Sequence, residues 1–226
     1  MFGAADIGLL QETKHDARSV KLIDTSWASQ GQRLVWGATP PRGQGKSAGV
    51  AIAARAGWAH PVKVGGTPVA GSRRWQAAVV PKAATGLPAP LLVVTVYGVV
   101  NSKKDQAAAA ATAEVVDEFM EVLAGWHGPW LVAGDVNQDP ATAPGLSAMV
   151  AHGSAVEVGA LDQGGGPTFI QGASQTRLSS AWMCRSLMPW WRRTDVVSIG
   201  VANHLAVRVE FSGDRVAIPV GWQLPA

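Results

Sequence analysis

Apolar residues in this chain come in short bursts, each ended by a turn or a polar cluster. Residues 7–10, 33–36, 49–53, 75–80, 91–97, 130–133, 168–170, 178–184, 195–199 and 205–211 read as strands, with 75–80 and 91–97 paired as a hairpin. Helical spacing is confined to 16–23, to the Ala-rich stretch 103–123 and to 144–152. Val115, Phe119, Val122 and Leu123 give the second of these an apolar stripe, and Gly125 is expected to stop it. Many short strands with two or three helices predict a layered α/β core, sheet packed on sheet with helices outside. The longest uncharged apolar run, 88–100, is about half the ~20 residues of a membrane helix, so no membrane partner is expected.

The chain has 226 residues, which predicts a single domain over 1–226. With 47% hydrophobic and 15% charged residues it is not a disordered chain. A formal charge of +3 permits a polyanionic partner without requiring one. One cysteine, Cys184, excludes a disulfide framework and a Cys-rich zinc site. No basic start followed by an apolar run opens the chain, so an intracellular location, nucleus or cytoplasm, is expected.

Several motifs fail on their own terms. Gly45-Lys46-Ser47 lacks the first glycine of a phosphate loop and leads into a strand rather than a helix, so it reads as a surface loop. No serine sits in a G-x-S-x-G elbow. His15, His60, His127 and His152 have no zinc-like spacing and read as surface or loop residues. Most tryptophans fall in strand patterns and read as core, and Trp190-Trp191 beside Arg192-Arg193 reads as packing against the sheet.

Three polar clusters stand apart because each lies where an apolar strand ends. Glu12 follows 7–10, Asp135 and Asn137 follow 130–133, and Asn203 and His204 precede 205–211. Any one of them is an ordinary turn to solvent. Converging, they are a set of oxygens and an imidazole suited to a hard divalent cation with an acid or base.

Their order and wording resemble the endonuclease/exonuclease/phosphatase superfamily, nearest in style to LINE-type retrotransposon endonucleases. Leu10-Gln11-Glu12 resembles its "LQE" strand, Val94-Thr95-Val96-Tyr97 its "VxY" strand and Gly134-Asp135-Val136-Asn137 its "GDFN" signature. Pro167-Thr168-Phe169 resembles its "PTF" element. Thr176-Arg177-Leu178-Ser179 stands where "SRID" is expected, and Asn203-His204 stands within the expected "SDHxPV". The resemblance runs from residue 7 to about 211 and implies a four-layered α/β sandwich, two packed mixed sheets flanked by helices. It implies metal-dependent phosphodiester hydrolysis on nucleic acid, endonuclease-like, with Mg2+ or Mn2+ as cofactor and DNA favoured over RNA. By position, Glu12 resembles the metal ligand, with Asn203 on the metal side. Asp135 resembles the group that orients or deprotonates the attacking water, Asn137 a phosphate and water positioner, Tyr97 a phosphate contact, and His204 the imidazole that meets the phosphate oxygens. Lys14, Lys103, Lys104 and Arg177 would face the substrate.

Three departures shape the expectation. The family's first strand, which carries an asparagine near the metal, has no counterpart before Glu12, so the domain reads as truncated at its N-terminus with an empty place in its sheet. Ser179 replaces the aspartate expected to orient the histidine, and Asn203 replaces the aspartate beside it. Impaired turnover is expected, because a lost orienting carboxylate costs orders of magnitude in histidine-dependent sites. Two alternatives stay open: a degenerate, non-catalytic domain of retroelement origin, and a phosphatase acting on a small phosphorylated substrate.

Overall fold

The structure is a computed structural model and describes residues 6–41, 48–64, 67–162, 165–198, 203–211 and 216–223. The Gly45-Lys46-Ser47 loop, Gly164, Ile199 and Ala202 lie outside the described residues. In chain order the elements are β1 (Ile7–Gln11), α1 (Ala17–Ala28), β2 (Gln32–Trp36), β3 (Val50–Arg55), β4 (His60–Pro61), β5 (Lys63–Val64), β6 (Thr67–Pro68), β7 (Trp75–Val80), α2 (Lys82–Thr85) and β8 (Leu91–Tyr97). There follow α3 (Gln106–Ala124), β9 (Trp130–Asp135), α4 (Leu146–Ala151), β10 (Ala155–Glu157), β11 (Phe169–Gln171), β12 (Ser174–Thr176), β13 (Ser179–Cys184), β14 (Trp191–Ser198), β15 (Leu205–Phe211) and β16 (Val216–Gln223).

Among the described residues twelve strands form two six-stranded sheets, ordered β14-β15-β16-β1-β3-β2 and β10-β13-β9-β8-β7-β4, while β5-β6 and β11-β12 pair as two-stranded hairpins. β1 and β8 are buried along their whole length, which is why they read as unbroken apolar runs rather than alternating ones. Leu9 and Ile52 of the first sheet share one core with Val94 and Leu131 of the second. α1 covers the outer face of the first sheet, where Ile23 and Trp27 pack on Leu10, Leu34 and Ala53. α3 covers the second sheet with Val115, Val116, Phe119, Val122 and Leu123 buried. This is the expected four-layered α/β sandwich.

Asp105 caps α3, its side chain accepting from the Ala107 and Ala108 amides, so the helix begins later than its apolar pattern suggests. Gly125 follows its end in a right-handed conformation at φ −82°, so the stop does not use the left-handed freedom expected of a terminal glycine. Trp75, Trp130 and Trp182 are buried, and Trp190 and Trp191 pack against the core as expected.

Strand direction explains where polar residues meet. Each sheet holds one parallel pair at its centre, β1 with β16 and β8 with β9. The members of a parallel pair end on the same side, so Tyr97 and Asp135 are directly paired at the end of β8 and β9. β13 runs antiparallel to β9 and starts there, placing Ser179 opposite Asp135. β15 runs antiparallel to β16 and also starts at that rim, preceded by His204.

The place beside β1 expected to stand empty is filled. β16 turns back antiparallel to β15 and lies parallel to β1, with Leu9 opposite Val220 and Gln11 opposite Gln223. The chain supplies this strand from the far end of its sequence, so β1 has a neighbour on both sides.

Candidate active site

Glu12, Tyr97, Asp135, Asn137 and His204 line one cleft of about 460 Å³. Lys103 and Lys104 form one wall, and Phe169, Gln171, Ser174 and Thr176 of the β11–β12 hairpin form the other. Five strand-end groups far apart in sequence are thus brought together.

The two rims are aligned by a buried polar link between the sheets. Gln11 Nε2 donates to Thr95 Oγ1 at 2.7 Å, and that hydroxyl lies 3.4 Å from the Leu10 carbonyl. Gln11 immediately precedes Glu12 and Thr95 lies two residues before Tyr97, so this link fixes the two acidic and phenolic groups relative to each other. The loops beyond β8 and β9 are zipped together as well. Gly98 N donates to Asp135 O at 2.7 Å, Lys103 N to Asn137 O at 3.1 Å, and Asn137 Nδ2 to Gly98 O at 3.0 Å. Gly134 is required for this closeness, because a Cβ there would overlap the Val96 carbonyl.

Backbone strain concentrates at the rim. Of the seven described non-glycine residues with positive φ, five are Glu12, Lys14, Asn101, Asn137 and Asn203. Such conformations cost ~1–3 kcal/mol each and persist where surrounding contacts over-determine them, commonly at functional sites.

The electrostatics are those of crowded acids in a dry cleft. Asp135, 5% exposed, has its pKa raised to about 7 by burial, with the Glu12 charge adding to the rise and the Asn137 amide at 2.8 Å from Oδ1 opposing it. Burial, then Glu12 and Asp135, push the Tyr97 phenol up, against a hydrogen bond with the Asn137 side chain and the Arg74 charge. His204 is lowered by burial, and Glu12 opposes this. Glu12 therefore acts on Asp135, Tyr97 and His204 alike.

Among the described residues no group of three or more His, Cys, Asp or Glu side chains is gathered as a metal site. The donor set still fits Mg2+, which keeps several waters and is commonly held by one or two carboxylates plus substrate phosphate. Glu12 and Asp135 are two carboxylates whose mutual repulsion a cation would relieve.

The remaining sequence-predicted residues divide. Lys103 and Lys104 face the cleft as expected. Lys14 is 3.5 Å from Glu12, an ion pair at the rim. Asn203 is exposed in a left-handed turn, its carbonyl accepting from Ile170 N, and is not among the residues that line the cleft. Arg177 is turned away, its Nη1 2.5 Å from Glu157 Oε1 and 3.4 Å from Ser180 Oγ, where it ties β10 to β13. Ser179 is buried at the cleft's edge.

Other residues escaped the sequence reading. Arg74 donates from Nη1 to Gly98 O at 2.8 Å and stands 5.6 Å from the Tyr97 ring centroid. Thr168 Oγ1 accepts from the amides of Leu178 and Ser179, and Thr168 O accepts from Leu205 N, so one buried threonine joins the hairpin, β13 and the His204 segment. Phe169 meets His204 edge-on at 4.9 Å. His15, expected on the surface, is 2% exposed against Trp36 because the chain folds back under Glu12. Only the "PTF" wording pointed at any of these.

No protein-family model matches the chain, and no curated protein matches it in sequence. Solved structures do match. The 3′-5′ exonuclease NExo from Neisseria meningitidis is 19% identical over 91% of this chain and 89% of its own, with a TM-score of 0.63. The fold is that of the endonuclease/exonuclease/phosphatase superfamily. The superfamily's 3′ phosphatase from Neisseria, bound to a product DNA hairpin, matches at 19% identity over 92% of this chain and 89% of that one, with a TM-score of 0.61. The endonuclease domain of TRAS1, a telomere-specific non-LTR retrotransposon, matches at 13% identity over 93% and 99%, with a TM-score of 0.59. Among the described residues no helix is long and apolar enough to cross a membrane.

Proposed function

We propose that the cleft hydrolyses a phosphodiester of nucleic acid with a divalent cation, Mg2+ or Mn2+, in the manner of an endonuclease. The observation that carries this reading is the convergence of Glu12, Tyr97, Asp135, Asn137 and His204 in one cleft flanked by Lys103 and Lys104. A phosphodiester is anionic, so attack by water needs neutralised charge and fixed geometry. Glu12, with Asp135 beside it, would hold the cation, whose part is to neutralise charge on the phosphate. Asp135, with its pKa near neutrality, is poised to accept the proton of an attacking water. Asn137 fixes that carboxylate through its backbone amide and reaches Gly98 through its side chain. Tyr97, its phenol held protonated, donates to a phosphate oxygen, and His204 does the same from the opposite sheet.

Nucleic acid is favoured as the substrate class because two lysines line the cleft where a phosphate backbone would pass, and because three of the solved neighbours are named as an exonuclease, a 3′ phosphatase bound to a product DNA hairpin and a retrotransposon endonuclease. DNA is favoured over RNA because one neighbour is bound to a DNA hairpin. A non-catalytic domain that binds nucleic acid is the second reading, and the observation favouring it is Ser179, a hydroxyl where a carboxylate would orient His204.

Nicking of supercoiled plasmid in Mg2+ separates the two. The hydrolytic reading expects relaxed circles that disappear with chelator and with Asp135→Ala. Salt-sensitive DNA binding without nicking would leave the binding reading. Turnover of a small phosphomonoester with no DNA binding would support the phosphatase alternative.

A further inference from the structure

Glu12 sits in an unusual piece of backbone. It and Lys14 both adopt left-handed conformations, at φ 54° and 48°, with Thr13 between them. Neither is glycine, and each pays for a side chain in that region. Two backbone bonds hold the turn against the next strand, Thr13 N to Gly49 O at 3.0 Å and Lys14 N to Ala48 O at 3.1 Å. A third contact comes from a side chain: Thr13 Oγ1 and His15 Nδ1 are 2.5 Å apart, both buried. The imidazole is wedged against Trp36 with ring centroids 4.5 Å apart. Gly49 fits closely under this pair, since a Cβ there would lie 2.5 Å from Thr13 Oγ1 and 3.0 Å from His15 Nδ1.

For stability alone His15 is a poor choice. Among the described residues its buried Nε2 has no hydrogen-bond partner, a defect that costs ~1–3 kcal/mol. An apolar side chain would fill the space against Trp36 without that defect. What an apolar residue cannot do is hold the Thr13 hydroxyl, and with it the left-handed turn that aims Glu12.

We propose that His15 is a positioning residue for Glu12: through the Thr13 hydroxyl it locks the strained turn and pre-sets the carboxylate for a divalent cation. This rests on reading Glu12 as a residue that holds that cation. The cost of the strain and of the orphaned nitrogen is then met by pre-organisation of the site rather than by folding.

The test measures Mn2+ binding by electron paramagnetic resonance, without substrate, alongside the thermal midpoint in chelator. His15→Leu keeps the bulk and loses the hydrogen bond, Thr13→Val loses it from the other side, and His15→Asn returns a polar atom near the place of Nδ1. Loss of a residue that orients a metal ligand typically weakens metal binding 10–100-fold, so His15→Leu and Thr13→Val are each expected to weaken Mn2+ by about tenfold or more. His15→Asn is expected to recover most of that loss. The combined Leu and Val variant is expected to be no weaker than either alone, since both break one bond. Mn2+ affinity within twofold of the parent in both single variants would overturn the proposal, as would an Asn variant no better than Leu. Should His15→Leu fail to fold, Thr13→Val and His15→Asn carry the same decision. A parent protein that binds no Mn2+ would overturn the assignment of Glu12 itself.

Discussion

Ser179 lies directly across the β9–β13 ladder from Asp135, so the substituted position faces the buried acid rather than open solvent. A carboxylate there would act on two groups. It would reach toward the His204 segment that Thr168 ties to the same spot, and it would repel Asp135. Ser179→Asp is therefore expected to raise plasmid nicking by about tenfold or more at alkaline pH. It should also move the acid limb of the pH–rate profile upward, because a second negative charge makes Asp135 harder to ionise. No gain at any pH would mean that the missing carboxylate does not limit His204.

Asp135 binds its proton more tightly in the folded protein than in the unfolded chain, with a folded pKa near 7 against 3.8. Without metal, folding is unaffected below the unfolded value and grows costlier as pH rises toward 7, then levels off. A shift of this size corresponds to ~4 kcal/mol at pH 8. In chelator, Asp135→Asn should raise the thermal midpoint by several degrees at pH 8 and leave it unchanged at pH 4, while turnover falls by at least ~10³-fold. Scanning calorimetry at the two pH values decides it. An equal midpoint shift at both would mean that burial is not what raises the pKa.

Lys103 and Lys104 contact substrate phosphate in the proposed reading. Each lysine that neutralises one phosphate adds ~0.9 to the slope of log affinity against log salt. Lys103→Ala with Lys104→Ala should flatten that slope by about 1 to 2 without changing the midpoint of unfolding. Fluorescence anisotropy on a duplex at several salt concentrations reads it directly. An unchanged slope would move the nucleic-acid path elsewhere.

Gly134→Ala is expected to be severely damaging. Its Cβ would meet the Val96 carbonyl on the neighbouring parallel strand, where neither backbone can move without breaking the β8–β9 ladder. A loss above ~3 kcal/mol is expected, measured by urea unfolding. A stable Gly134→Ala protein would show that the two strands are farther apart than this.

The strands that carry the site were legible because each is an apolar run that stops at a polar residue, as at Leu10–Glu12 and Ala133–Asp135. What joins them was not. The Gln11–Thr95 link and the Arg74 contact to Gly98 connect residues whose separation in sequence carries no local pattern. A buried histidine such as His15 has no periodicity to announce it. β16 was missed for a different reason: Pro219 and Gly221 argue against a central strand, since proline gives no amide to a ladder and glycine weakens it. The left-handed residues at 12, 14 and 137 were also invisible, because a glutamate, a lysine and an asparagine in a loop look ordinary until the backbone is seen.

The pairing of Leu9 with Val220 has a consequence for how the protein comes into being. During synthesis the segment bearing Glu12 emerges long before the strand that lies between it and the His204 half. The first sheet cannot close until residues 216–223 have emerged. Until then β1 offers an open edge, the kind of surface that recruits chaperones or pairs with a neighbouring nascent chain. Such non-local closure makes folding slow for its size, and it makes completion of the cleft a late event.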